Sequence, residues 1–387
     1  MYTKKLKIKL PASSSSQYDL NDYVFADKLA DNNTPFVSGG GRATRLYPIT
    51  TTINKHLLPL ANKPMIFHAI DKVVEAGITE IFINVNPGET ELEQYIGDGG
   101  HWGISIKFFE QKGGPQGIAH VVNEAKQFIG DEPFLFYLSD NILLGSLKPL
   151  VEEFNRGDFD CLLALSQVSD PERFGVPIFD SAGKLIDVHE KPANPPNNFA
   201  VTGIYLYGPK LFFEAFNKIT KSARGEYEIS SIHSLFLKDG RRVGHKEITG
   251  WWKDTGKHED LLLVNQLLLD KIESRELPDE LVGSAEISGV VHIGIGARVG
   301  DRVRLIGPVI IGENCVLENC TIGPYVTVGQ GTELSGIQIT KSIVLDNCAI
   351  DCEENISHSL IGKKVTIRRR ATEASMLILG DKSIVEL

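Results

Sequence analysis

Cysteine is scarce, five residues in 387, which is too few for a disulfide scaffold in a chain of this size. Cys315, Cys320, Cys348 and Cys352 have neither a nearby histidine nor the tight C-x-x-C spacing of a zinc site, so they read as small buried apolar residues. Long apolar runs are absent as well. No stretch approaches the ~20 consecutive apolar residues that cross a bilayer. The basic start Met1–Lys9 runs into Pro11 and Ser13–Ser16 without the apolar centre of a signal peptide. The expectation is a soluble, cytoplasmic protein with no membrane partner. Positive charge is not in excess either: 40 Lys plus Arg stand against 50 Asp plus Glu, a formal net charge of −10. Such a surface repels polyanions on average, which argues against a nucleic-acid partner. Any phosphate chemistry must then rest on locally placed cations.

What is present is enough apolar material, 42% of the chain, to fill two or three cores. Residues 1–33 are polar apart from the alternating segment Lys5–Leu10 and read as an N-terminal appendage without chemistry. Residues 34–272 alternate short apolar runs with helical periodicity. Pro64 stands at a first helical position, Ile66, Ala69, Ile70, Val73 and Val74 form one apolar face, and Gly77 ends the helix before the strand-like run Ile81–Val85. Phe134–Leu138 and Cys161–Leu165 are further runs of the kind a buried, mainly parallel sheet requires. The fold class expected is α/β, a doubly wound, Rossmann-like domain whose ligands gather at the carboxyl ends of its strands.

Residues 273–387 follow another rule. Ile287, Ile293, Val299, Leu305, Ile311 and Leu317 recur every six residues, the register slips by one, and it resumes at Ile322, Val328 and Leu334, with Ile361 and Ile367 further on. A six-residue apolar period suits neither a helix nor a hairpin; it predicts a left-handed parallel β-helix of hexapeptide repeats, with roughly five coils.

The segment Ser38–Leu60 reads S-G-G-G-R-A-T-R-L-Y-P-I-T-T-T-I-N-K-H-L-L-P-L. A glycine-rich turn after a short strand can bring backbone N–H groups against phosphates, and Arg45 and Lys55 supply the positive charge a triphosphate needs. The segment lacks both the G-K-[ST] ending of a P-loop and the G-x-G-x-x-G of a dinucleotide fold. Asp140 directly follows the apolar run Phe134–Leu138, which puts it at a strand's carboxyl end, where a hard oxygen ligand for Mg²⁺ is useful.

This run resembles the signature of the sugar-1-phosphate nucleotidylyltransferases, G-G-x-G-T-R-L-x-P-x-T followed by K-x-x-L-P. Later motifs agree in order: L-S-D-N at 138–141, D-P-E-R-F-G-V at 170–176, E-K-P at 190–192, V-T-G-I-Y at 201–205, R-G-E-Y-E-I at 224–229 and W-K-D-T-G at 252–256. The hexapeptide tail, ending L-G-D-K-S-I-V-E-L, looks like that of the long form of the glucose-1-phosphate thymidylyltransferases. The resemblance implies attack by the phosphate oxygen of glucose 1-phosphate on the α-phosphorus of dTTP, giving dTDP-glucose and pyrophosphate. The nucleophile is already an anion, so the protein supplies alignment and charge stabilisation rather than a general base. By motif position, Arg45 holds the β and γ phosphates, Lys55 supports the triphosphate, and Asp140 and Asp254 hold Mg²⁺. The nucleotide loop comprises Gly40, Gly41, Arg42, Ala43 and Thr44, with Gln111, Gln116 and Gly117 at the base. Lys191 neutralises the sugar phosphate, Glu190 accepts from sugar hydroxyls, and Gly175 with the Val201, Thr202 and Gly203 backbone shapes the sugar pocket. Arg224 and Glu228 lie in the family's sugar-side segment. A homo-oligomer, a tetramer by analogy, is implied too.

The match departs from the family at several points. Ala43 stands where the family has the last loop glycine, and a Cβ there demands negative φ or crowds the nucleotide. The segment Gln111–Gly117 is one residue longer than the family's Q-x-x-P-x-G, which leaves open whether Gln111 or Gln116 reads the base, and with it dTTP against UTP. Ser139 replaces a glycine before the metal aspartate, and Pro35 removes a ladder donor from the first strand. Two alternatives follow: a catalytically impaired paralogue that binds sugar nucleotide and regulates a partner, and a bifunctional nucleotidyltransferase/acetyltransferase with His292 or His358 as a base on the β-helix.

Overall fold

A computed structural model describes residues 34–38, 44–113, 116–275 and 285–368. The expected appendage and Gly40, Gly41, Arg42 and Ala43 of the glycine-rich turn lie outside the described residues.

The expected first strand is β1 (Thr34–Ser38), and it is central in the sheet. It runs parallel to β2 (Glu80–Val85) on one side and to β4 (Phe134–Leu138) on the other, while β3 (Ser105–Glu110) runs parallel to β2. Pro35 is accommodated because pairing with β2 starts one residue later, at Phe36. Helix α1 (Met65–Glu75) connects β1 to β2, burying Ile66, Ala69, Ile70 and Val73 while Val74 is only partly covered. Pro64 is the residue before the helix rather than its first, in extended geometry at ψ 137. Chain order reverses between β1 and β4, so the crevice at the carboxyl ends of these two strands is the topological switch point where an open α/β sheet takes its ligands.

The other half of the sheet departs from the parallel expectation. In chain order β4 is followed by β5 (Asn141–Leu143), β6 (Cys161–Gln167), β7 (Gly175–Phe179), β8 (Leu185–Glu190), β9 (Phe199–Tyr207), β10 (Val243–Glu247) and β11 (Trp252–Asp254), of which β5 and β11 form a two-stranded ribbon outside this sheet. Strand β9 lies antiparallel to β4, β6 and β7. β7 pairs antiparallel with β8, and β10 is parallel to β6. The apolar runs give no strand direction, because a strand covered on both faces is uniformly apolar whichever way it points. Two apolar cores flank the sheet.

Residues 286–368 form a parallel β-helix of three sheets, each five strands deep. The apolar residues read from the six-residue period stack in register: Ile287 on Leu305 on Ile322, Ile293 on Ile311 on Val328, and Val299 on Leu317 on Leu334. The ladders continue through Ile339, Val344 and Ile350 to Ile356, Ile361 and Ile367. The register slip shortens the second coil by one residue without breaking a ladder. Cys315, Cys320, Cys348 and Cys352 are buried inside the coils as free thiols, as their surroundings in sequence suggested.

The β-helix lies against the α/β unit. Asn62 Nδ2 donates to the Val328 carbonyl at 2.8 Å. Ile343 and Leu345 join the core that contains Leu57, Leu58 and Leu60. Asn265, on the helix His258–Leu269, accepts from the Ala61 N–H at 2.8 Å and meets Thr327 Oγ1 at 3.4 Å. No helix among the described residues is long and apolar enough to cross a membrane.

Candidate active site

The site forms because two short strands far apart in sequence pair over the switch point. β5 and β11 are antiparallel, with Asp254 opposite Asn141 and Trp252 opposite Leu143. This ribbon brings L-S-D-N and W-K-D-T-G together. Thr255 fixes the junction: its N–H and its hydroxyl both donate to the Asp140 carbonyl, at 3.0 and 2.8 Å.

Lys55 meets Asp140 from the 3-10 turn Lys55–Leu57, Nζ to Oδ2 at 2.5 Å, with 12% of the lysine side chain and 21% of the aspartate's exposed. Burial alone would raise the Asp140 carboxyl; the Lys55 ammonium, with His56 and the Asn141 amide, overrides it and holds it down at about 2. Asp254 goes the other way. Burial, and then the neighbouring Asp140 charge, push it up to about 6. Two carboxylates whose environments drive them apart are close enough to feel one another, as a shared cation requires.

Arg45 reaches the same place. A Cβ on Gly256 would lie 2.8 Å from Asp254 Oδ2, 3.4 Å from an Arg45 guanidinium nitrogen and 3.7 Å from one of Arg173, so the glycine of W-K-D-T-G is the gap in which these groups converge. Arg173 is a residue that motif reading did not single out. It donates to Asp170 at 2.6 Å and lies 3.5 Å from Asp254 and 3.4 Å from Asp260. Asn141 was also passed over, and it is the hub of the ribbon. Its Nδ2 donates to Asp140 at 2.8 Å, and its Oδ1 accepts from Trp252 Nε1 at 3.0 Å and from the Gly203 N–H at 3.1 Å.

No three His, Cys, Asp or Glu side chains cluster as a metal cage among the described residues. The donor set still fits a hard divalent ion. Mg²⁺ is commonly held by one or two carboxylates and completed by substrate phosphates and water, and Asp140 and Asp254 are two such carboxylates opening onto the cleft.

Of the residues expected on the sugar side, Glu190 ends β8 opposite Gly175, and Val201 pairs with Gly175 from β9. A Cβ on Gly175 would stand 3.7 Å from both Glu190 Oε2 and Val201 Cβ, so the three lie side by side. Lys191 follows in left-handed backbone, φ 45, with Nζ 3.6 Å from Glu190. Thr202 and Gly203 can contribute shape only. The Thr202 hydroxyl donates to the Ala164 carbonyl at 2.9 Å, and the Gly203 N–H is held by Asn141. Arg224 joins them, 3.2 Å from Glu190 and 2.8 Å from the buried Glu228.

Of the residues expected at the base, Gln111 is buried at the carboxyl end of β3. The Gln116 side chain turns back within its loop, 3.4 Å from the Gly113 carbonyl and 3.4 Å from His120 Nε2. Gly117, at φ 100, leads into helix α3 (Ile118–Glu124) and packs so tightly on Tyr227 that a Cβ would lie 2.5 Å from its carbonyl. Of Thr44, the structure gives the backbone, at the start of the 3-10 turn Thr44–Leu46. His292 and His358 are not brought to any of these groups: the first bonds the Glu273 carbonyl at 2.7 Å, the second Ser357 Oγ at 2.9 Å.

The nucleotidyl transferase family matches residues 35–271. The chain belongs to that family. A second family, the GMPPB C-terminal domain, matches residues 305–386 of this nucleotidyltransferase. Among similar proteins, a low-salt glycan biosynthesis nucleotidyltransferase of Haloferax volcanii is 37% identical over 353 residues, covering 90% of this chain and 98% of its own. A glucose-1-phosphate thymidylyltransferase of Streptomyces antibioticus is 36% identical over 354 residues, covering 91% and 98%. Among solved structures, a Bacillus anthracis chain described as a glucose-1-phosphate thymidylyltransferase, in complex with a sucrose, superposes with a TM-score of 0.58 at 37% identity. It covers 63% of this chain and 97% of that one. A UDP-glucose pyrophosphorylase complexed with UDP-glucose shares the fold at 23% identity and a TM-score of 0.54, over 62% of this chain and all of that one. The expected likeness to sugar-1-phosphate nucleotidylyltransferases is thus borne out, and so is an α/β nucleotidyltransferase domain followed by a parallel β-helix.

Proposed function

We propose that this nucleotidyltransferase is a glucose-1-phosphate thymidylyltransferase, joining dTTP and glucose 1-phosphate into dTDP-glucose and pyrophosphate. The observation that carries the reading is the β5–β11 ribbon, which brings Asp140, Asp254, Lys55 and Arg45 together at the switch point. The relatives named for this activity support the choice of substrates.

In the proposed mechanism the protein aligns two anions and neutralises the charge that develops as pyrophosphate leaves. Arg45 lies where it can hold the terminal phosphates. Lys55, now paired with Asp140, supports the α-phosphate end. Asp140 and Asp254 would hold Mg²⁺, which when bound would supply positive charge to stabilise the leaving pyrophosphate. Lys191 and Arg224 neutralise the sugar phosphate, Glu190 accepts from sugar hydroxyls, and Gly175 leaves room for the ring. Gln111, at a strand's carboxyl end, is the residue we assign to the pyrimidine, since the Gln116 amide is turned into its own loop. The β-helix packs subunits rather than doing chemistry, in a homo-oligomer of four by analogy; a monomer in sedimentation at micromolar concentration would reject that part.

The test is pyrophosphate release with Mg²⁺, from glucose 1-phosphate and amino-sugar phosphates against dTTP, UTP, ATP, CTP and GTP. Preferred turnover of dTTP with glucose 1-phosphate is expected. Preference for UTP would move the assignment to the uridylyl enzymes, and binding without turnover would leave a regulatory protein.

A further inference from the structure

Behind the Lys55 turn, where the catalytic unit meets the β-helix, lies a cavity of about 450 Å³, within the ~300–1,000 Å³ of ordinary small-molecule sites. Lys55, Asp140 and Asp254 do not line it, although Leu57 and Pro59, just beyond Lys55, do. We propose that it is a binding site for a small organic cation, an alkylammonium or guanidinium with an apolar body.

One wall is aromatic. Phe67 on α1 meets Trp102 edge to face at 4.8 Å and Tyr95, on helix α2 (Glu91–Ile96), at 6.0 Å; His101 stands edge-on to Trp102 at 4.9 Å. The rings are held in place: Trp102 Nε1 donates to Asp71 at 2.9 Å. Tyr95 nevertheless keeps 57% of its surface exposed. An exposed ring such as that of Tyr95 attracts cations through its quadrupole.

The opposite wall is a row of coil corners, Gly312, Gly329, Asp346 and Lys363, one from each of four successive coils at a constant spacing of 17 residues. Lys363 lies 3.5 Å from Asp346, and Glu313 beside them makes no ion pair among the described residues. His101 adds little charge, since burial and the nearby Lys63 ammonium hold it below its ordinary value. The charged groups facing the cavity are therefore two carboxylates against one ammonium. An anion would meet net repulsion there; a cation meets one unpaired carboxylate and three aromatic rings.

Calorimetry and tryptophan fluorescence on the full chain, with putrescine, agmatine and spermidine, test this. Saturable binding at millimolar concentration or below is expected for at least one of them, with a concentration-dependent rise in Tm. Affinity should fall roughly tenfold or more in Glu313→Gln and in Tyr95→Ala, two partly or largely exposed positions whose ligand-free Tm should stay put. It should be unchanged in Asp140→Asn, which alters the other acidic site, and neutral diols of matching length should not bind. Absence of binding by all three amines would overturn the proposal. So would affinity unaffected by both cavity variants, affinity lost in Asp140→Asn, or equal binding of the diols.

Discussion

At the scale of single residues, Asp140 and Asp254 differ in environment more than in chemistry. Lys55 sits on the first and holds it down, while the second, pressed by burial and by the first, is pushed up. Asp140→Asn keeps the shape and the Asn141 contact but loses the charge. It should lower kcat by about a hundredfold or more, the scale of removing one preorganised electrostatic group, with Tm changed by only a few degrees; pyrophosphate release and thermal melting measure both. Arg173 is the cation shared by Asp170, Asp254 and Asp260. Arg173→Gln takes a cation from three carboxylates, of which Asp260 keeps Lys253 at 3.2 Å, so a fall of about tenfold in kcat/KM is expected together with a lower Tm, partly restored by Arg173→Lys. Arg173 was not legible as a site residue because its partners are spread over ninety residues of sequence. The place of Asp140 at the carboxyl end of a strand was legible, since it follows the apolar run Phe134–Leu138.

At the scale of elements, the glycines of the site mark close approaches rather than loose chain. Gly117 combines left-handed backbone with a carbonyl where its Cβ would stand. Gly117→Ala should therefore cost about 1–3 kcal/mol of stability from backbone strain alone. It should also raise KM for the nucleoside triphosphate, as the loop bearing Gln116 shifts away from Tyr227; melting and steady-state kinetics read the two effects. Helix α1 and β1 were visible in the sequence to within a residue or two because amphipathic and apolar runs are local signals. The β5–β11 ribbon was not. Each strand is three residues long, too short for any period to declare itself, and the pairing spans more than a hundred residues.

At the scale of the molecule, two apolar cores flank the mixed sheet and a third fills the coils. His233, on Ile229–Lys238, is fully enclosed in one of the sheet cores, with Nε2 2.8 Å from the Tyr207 hydroxyl. Burial pushes it from 6.5 down to about 3. The unfolded chain therefore takes up a proton that the folded chain refuses, and this stability, complete above the unfolded value, is lost as pH falls from 6.5 towards 3. The slope is up to about 1.4 kcal/mol per pH unit. Tm followed across that window should fall less steeply in His233→Gln, which can keep the bond to Tyr207.

The sequence by itself determined the repeat of the β-helix, the helical and strand character of the long segments, and the order of the motifs shared with the nucleotidyl transferase family. These depend on side-chain periodicity and on residue type, both of which are local. Only the tertiary structure decided that β9 runs antiparallel through the sheet and that Asn141 joins Asp140, Trp252 and Gly203. It alone also decided that Arg173 shares in the acid cluster and that a cavity opens between the coil corners and α1. Those are contacts across long loops, set by which apolar faces bury one another and which charges are left to pair, and no spacing along the chain encodes them.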